Sequence, residues 1–192
     1  MAIFWYNVKN NIKITNMYGP ILKGKKVILQ PAKLSEAKQY LTWLNDYEVT
    51  KYISSKSDLT LDQEKEFLKN KKIDNEVYWS VYTKSGKHIG STGLHNYSPT
   101  HKRTSWGIMI GDKSEWNKGY GTDILRTVMA YAFNKLKLNR FELEVFHKNI
   151  AGLKCYAKCG FKKEGVRRDF FMKNNEVYDS IMMSVLRDEY KN

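Results

Sequence analysis

The side chains and spacing best suited to chemistry lie in Trp116-Asn117-Lys118-Gly119-Tyr120-Gly121-Thr122. A short apolar run, Trp106-Gly107-Ile108-Met109-Ile110-Gly111, precedes them, and a helical pattern over residues 123–138 follows. A strand, a glycine-bearing turn and a helix start together make a site for a polyphosphate. The first N–H groups of a helix lack intrahelical acceptors, and the helix dipole adds partial positive charge at that end. Gly119 and Gly121 let a ligand approach the backbone, and Lys118 adds a full charge. The spacing is not the Gly-x-x-x-x-Gly-Lys-Ser/Thr of an NTPase loop. It also lacks the third glycine and downstream acid of a dinucleotide fold. Alone, a Gly-x-Gly before a helix is a weak signal and reads better as a plain turn with its cap.

A second constellation follows in Asn149-Ile150-Ala151-Gly152-Leu153-Lys154-Cys155-Tyr156-Ala157-Lys158-Cys159-Gly160-Phe161. Asn149 is placed to cap a short helix, Gly160 to end it in a left-handed conformation, and Phe161 to turn back into the core. Asn-x-x-Ala-x-x-x-Tyr-x-Lys-x-Gly-Phe after Lys-Gly-Tyr-Gly-Thr resembles the two acetyl-CoA motifs of the GNAT superfamily of N-acetyltransferases. Glu164-Gly165-Val166-Arg167-Arg168, Val177-Tyr178-Asp179 and the run from Met183 to Tyr190 are similar to the RimJ/RimL-like branch. So are the opening from Leu22 to Pro31 and Trp43-Leu44-Asn45-Asp46-Tyr47-Glu48-Val49. The similarity covers roughly residues 18–190, and two spaced motifs in order are far more specific than either alone.

The resemblance implies a direct attack of a primary amine on acetyl-CoA within a ternary complex, without a metal. The acceptor would be a small or sugar-linked amine, or a protein N-terminus. Trp116, Asn117, Lys118, Gly119, Tyr120, Gly121 and Thr122 would hold the cofactor's pyrophosphate, with Lys154 and Lys158 near its phosphates. Ile108, Met109 and Ile110 would line the cofactor, with backbone N–H groups near Met109 and Ile110 pointing at the thioester oxygen while the side chains of Ile108 and Ile110 pack in the core. Asn149 would cap its helix and bind the pantetheine. Tyr156 would act as general acid to the departing thiolate, or simply pack against it. A general base is harder to place, because Ser105 stands where the branch carries a glutamate. His95 and His101 are candidates, since imidazole titrates near pH ~6.5; Asp179 and Glu164 are others, and a dedicated base is dispensable if the amine is already neutral. Trp116 and Asn117 are further departures from the common motif.

The elements needed to position these groups are legible as a series. A strand over residues 27–30 leads to a helix capped by Ser35 and running to about residue 45. Thr60-Leu61-Asp62-Gln63 is a capping-box pattern opening a helix to about residue 71. Residues 78–82 and 87–95 read as a hairpin over Ser85-Gly86, and residues 103–110 as the next strand. Leu125, Val128, Met129, Ala132, Phe133 and Leu136 recur at helical spacing within a helix over residues 119–138. Residues 141–146 alternate as a strand, and Asn174-Asn175 marks a tight closing hairpin. This order predicts an α/β or α+β fold, a mixed, mostly antiparallel central sheet with helices on both faces. The resemblance adds that the sheet splays between the strands of residues 103–110 and 141–146. Residues 1–17 read as an extension and 18–192 as one domain.

Composition sets the outer limits. A chain of 192 residues, 42% of them hydrophobic, suits one globular domain with a substantial core. No apolar run reaches the roughly 20 residues of a membrane span, and the apolar start is too short for a signal peptide. Cys155 and Cys159 lie one helical turn apart with no further metal ligands nearby, so free thiols in a reducing cytoplasm are expected. A net charge of +13 raises a rival, a nucleic-acid-binding protein. Its lysines are scattered and no recognition module accompanies them, so specific nucleic-acid binding is not expected. A catalytically silent CoA-binding regulator is the remaining alternative, kept open by Ser105. A homodimer is the candidate assembly.

Overall fold

The computed structural model describes residues 19–54, 58–69 and 76–191; the expected extension, residues 1–17, lies outside them. The middle layer is an eight-stranded sheet of order β1-β2-β3-β4-β5-β6-β8-β7. Its strands are β1 (Leu22–Lys23), β2 (Val27–Pro31), β3 (Val77–Thr83), β4 (His88–Ser98), β5 (Arg103–Ile110), β6 (Arg140–Phe146), β7 (Lys162–Lys173) and β8 (Glu176–Leu186). All neighbouring pairs are antiparallel except β5 with β6.

Helices cover both faces, as the element order predicts. Strand alternation sends Val77, Trp79, Val81 and Trp106 to one face, where they pack with α4 (Tyr120–Ala130) in the larger core. On the same side lies α5 (Ile150–Lys158), whose Leu153 and Tyr156 border that core. On the other side Met109 joins Tyr40 and Trp43 of α1 (Ala37–Leu44), Val49 of α2 (Tyr47–Thr50) and Leu68 of α3 (Leu61–Lys69) in a second core. Among the described residues no helix is long and apolar enough to cross a membrane.

A parallel pair requires a crossover, and α4 supplies it between β5 and β6. The pairing is short: only residues 103 to 105 face 140 to 142. Beyond Ser105 the strands part, with the Trp106 indole set against Phe141 at 6.3 Å and Tyr156 at 5.9 Å. This is the splay that the family resemblance implies.

Several local expectations change. Ser35 caps nothing: it sits inside a 3-10 turn over Leu34–Glu36. The Glu36 carboxylate turns back to accept from Lys33 N at 2.7 Å, and the helix that follows starts without a side-chain cap. The Thr60 capping box forms, with Gln63 Oε1 accepting from Thr60 N at 2.9 Å and Thr60 Oγ1 from Gln63 N at 3.3 Å. The helix it opens is described to Lys69, and residues 70–75 lie outside the described set. The pattern over residues 119–138 is not one α-helix. It passes at Tyr131 into a π-helical turn, Tyr131–Lys135. Ala132 and Phe133 in that turn, Leu136 at its end and Leu138 in the link to the next strand are all buried in the larger core. Asn174 and Asn175 have φ of 50° and 61°, the left-handed pair that a two-residue hairpin requires.

Candidate active site

The cleft is built where the sheet opens. Gly111 N donates to Ile89 O at 2.9 Å, which fixes the phase of the β4–β5 ladder. By alternation the N–H of Met109 turns toward β4, while those of Ile108 and Ile110 turn toward the opening. Ile110, joined by Ile108, is therefore the donor of the predicted Met109–Ile110 pair that faces the gap. The Trp116 indole closes the end of the strand by donating to Ile110 O at 2.8 Å.

Next comes the start of α4. Gly119 is its N-cap, with φ of 82° and no side-chain cap, so the first-turn N–H groups remain available. Asn117 takes φ of 61°, a conformation asparagine tolerates, which answers the loss of a glycine there. A Cβ on Gly121 would sit 3.8 Å from both Cys155 Sγ and Ile110 Cδ1, so Gly121 is small toward the cleft rather than required by its backbone. Lys118, the expected phosphate ligand, lies on this turn. Its ammonium pairs with Glu115 at 3.0 Å, a carboxylate that Lys87 also holds at 2.8 Å. The cation brought over this turn is Lys26, which donates to Lys118 O at 2.8 Å. Asp123 puts it there by accepting from the N–H groups of Lys25 (3.1 Å), Lys26 (2.7 Å) and Val27 (3.1 Å). Neither Lys26 nor Asp123 carries a local sequence signal, because the contact spans nearly 100 residues.

The third wall is α5. Asn149 caps it as expected, its side-chain oxygen accepting from Gly152 N at 2.9 Å. Tyr156 packs edge-on to Trp106 at 5.9 Å and tilts against Phe161 at 6.1 Å. Burial pushes its phenol well above the ordinary value, so it stays protonated at neutral pH. Trp106 Nε1, in the same wall, is buried and makes no hydrogen bond with any described residue. Lys154 and Lys158 border the cleft from the exposed side of the helix.

The opposite mouth is aromatic and acidic. Tyr52, Phe67, Tyr78 and the carboxylates of Glu48 and Glu64 line it, together with His95. The imidazole of His95 lies over β5: its Nε2 is 3.2 Å from where a Gly107 Cβ would stand. Its Nδ1 is 3.0 Å from the Tyr78 hydroxyl and 3.6 Å from Glu76 Oε1. Glu76 also accepts from Tyr78 at 2.6 Å. A carboxylate behind one nitrogen leaves the other directed at the cleft, an arrangement suited to taking a proton.

The rival bases are placed in structural roles. Glu164 accepts from Arg140 and Ser184, each at 2.6 Å, and the guanidinium holds it down at about 2. Asp179 caps the Asp169 N–H at 3.0 Å within the closing hairpin. His101 is on an exposed turn. Ser105 donates to His95 O at 3.0 Å and accepts from Asn96 at 3.2 Å, fastening the β4 irregularity.

An opened sheet with an uncapped helix start on one side and a protonated phenol on another can bind a polyanionic thioester and stabilise its leaving group. The sequence agrees. Residues 26–162 match the acetyltransferase (GNAT) domain family, and the chain belongs to it. It is thereby an acetyl-CoA-dependent N-acetyltransferase. YoaA of Bacillus subtilis, an uncharacterized N-acetyltransferase, is 27% identical over 173 residues, spanning 88% of this chain and 97% of its own. The mouse alpha/beta-tubulin-N-acetyltransferase 9 is 24% identical, covering 78% of this chain and 67% of its own. A spermidine N-acetyltransferase from Vibrio cholerae, in complex with CoA and spermine, superposes with a TM-score of 0.81 at 21% identity. That match covers 87% of this chain and 99% of the other.

Proposed function

We propose that this enzyme moves the acetyl group of acetyl-CoA to a small primary amine by direct attack, and that it belongs to the RimJ/RimL-like branch. The observation that carries the reading is the uncapped start of α4 at the mouth of the β5–β6 splay. The residues fit the group: first-turn N–H donors and Lys26 for the phosphates, Asn149 and the orphaned Trp106 N–H along the arm. Acetyl-CoA supplies the activated carbonyl and the thiol leaving group. Ile108 and Ile110 N–H groups hold the carbonyl oxygen as negative charge develops on it. His95, oriented by Glu76 and Tyr78, takes the proton as the amine forms its new bond to carbon. Tyr156 donates to the sulfur as the carbon–sulfur bond breaks. Binding the two reactants together supplies much of the remaining acceleration.

The acceptor side supports an amine that is a cation in solution. Despite the net charge of +13, the mouth carries the buried Glu64 among aromatic rings, with Glu48 beside it paired to Lys51 at 3.0 Å. The structural neighbour bound to spermine acts on spermidine, and a polyamine or aralkylamine fits the same chemistry here. Two unpaired thiols suit a reducing cytoplasm.

The test is a thermal-shift titration with acetyl-CoA, CoA and ATP, followed by an amine screen for thiol release. At 100 times its dissociation constant, acetyl-CoA adds ~2.7 kcal/mol, moving the melting point by roughly 5–10 °C. Gly121→Asp, which has room for its Cβ but places a carboxylate at the phosphate site, abolishes that shift. No shift in the wild type overturns the reading; a shift without turnover of any amine favours the silent regulator.

A further inference from the structure

Cys155 and Cys159 have no part in the proposed transfer, yet Cys155 borders the cofactor cleft. It projects from α5, half-buried, with Sγ 3.4 Å from Thr122 Oγ1 in the first turn of α4. The same sulfur lies 3.8 Å from a Cβ built on Gly121, as does Ile110 Cδ1. The thiol therefore stands against the turn that receives the pyrophosphate. One helical turn on lies the Cys159 thiol. Cys159, the hydroxyl of Thr122 on α4 and the positive charges of Lys158 on α5 and Arg126 on α4 all act on the Cys155 sulfur. Together these hold the Cys155 thiol well below its ordinary range, while the same contact pushes Cys159 up. Neither sulfur is in a disulfide, and no metal-binding group occurs among the described residues.

We propose that Cys155 is a thiol-modification site, at which a low-molecular-weight disulfide forms a mixed disulfide that closes the acetyl-CoA cleft at its phosphate end. The closing role rests on the cofactor reading above. In the step, the Cys155 thiolate attacks one sulfur of the disulfide. A new sulfur–sulfur bond forms, the old one breaks, and the departing thiolate takes a proton from water. Cys155 is oxidised and the other half of the disulfide is reduced; a free thiol reverses the exchange. Cys159 remains protonated and serves as donor to the attacking thiolate. The added group lies beside Thr122 and Gly121, across the first turn of α4.

The probes are iodoacetamide, for reactivity, and oxidised glutathione, for exchange, each read by intact mass and peptide mapping on the full chain. From pH 8 to pH 6 an ordinary thiol loses roughly 80-fold in alkylation rate, because its thiolate fraction falls by that factor. Cys155 loses less than about threefold, and oxidised glutathione gives one adduct, on Cys155. At 100 times its dissociation constant, acetyl-CoA leaves about 1% of sites free and slows Cys155 labelling at least tenfold. The glutathionylated protein loses its thermal shift with acetyl-CoA and regains it with dithiothreitol. Cys155→Ser abolishes the adduct, and Cys159→Ser slows labelling of Cys155 at pH 6. Faster labelling of Cys159, or an ordinary pH profile at Cys155, overturns the site. A protein that shifts with acetyl-CoA yet gains no protection overturns the closing role. A protein with no shift overturns the cofactor reading instead, while the pH profile still decides the reactivity of Cys155.

Discussion

Replacing Tyr156 by Phe separates chemistry from packing, because the hydroxyl makes no hydrogen bond with any described residue. The ring contacts to Trp106 and Phe161 are kept, so stability changes by no more than about 0.5 kcal/mol. The phenol is pushed up by burial, which makes it a firm hydrogen-bond donor. Transfer of its proton is favourable only to a thiolate raised by the same dry surroundings, so its main contribution is a charge-assisted hydrogen bond in the transition state. Such a bond is worth about 1.5–3 kcal/mol, which lowers kcat roughly 10- to 150-fold. The acetyl-CoA thermal shift and the KM for acetyl-CoA stay unchanged, since the ground-state thioester gains little from the hydroxyl. The assay is thiol release with a saturating amine. A kcat within about threefold of wild type, with the thermal shift intact, refutes the acid role and leaves Tyr156 as a packing residue.

Two further outcomes follow from the geometry. Asp123→Ala strips the acceptor from three N–H groups, of which Val27 N is part-buried and the other two can turn to water. The cost is about 2–3 kcal/mol, a fall in melting point of roughly 4–12 °C; a fall below about 1 °C would show that the staple contributes nothing. Glu164 is held at about 2 by Arg140, so its folded pKa lies below the ordinary 4.5. Its contribution is full above pH 4.5 and lost as pH falls toward about 2. Urea midpoints across that window should fall more steeply for wild type than for Glu164→Gln, and parallel slopes would remove the pair from the acid limb.

The parts of the site that were legible in sequence are those whose contacts are local. Asn149 caps the residue three positions on, and Gly160, with φ of 93°, ends its helix without help from elsewhere. Gly119 in the left-handed N-cap and the Asn174-Asn175 turn are likewise backbone requirements met by the residue itself. Lys118 reads equally well in sequence as a phosphate ligand, but its charge is drawn to Glu115, which the fold sets beside it with Lys87. Ser35 was the expected cap because its side chain can accept from the helix; the chain instead tightens into a 3-10 turn there, and α1 starts after Glu36 without a side-chain cap. The change at Tyr131 was hidden because the apolar residues keep a helical period through Leu136, so no local pattern marks the wider turn.

By itself the chain determined its periodicities, its caps and turns, and the order of strand, phosphate turn, helix, strand and capped helix that marks an acetyltransferase. These are short-range properties, set by backbone geometry and side chains a few positions apart. Only the tertiary structure decided which N–H groups face the opening, because the phase of β5 is fixed by its pairing with β4. Only it brought Glu76 and Tyr78 behind His95, Lys26 over Gly119 through Asp123, and Cys155 against Thr122. Each of these joins elements distant in sequence, where charge and hydrogen bonding depend on a few ångströms that no local pattern encodes.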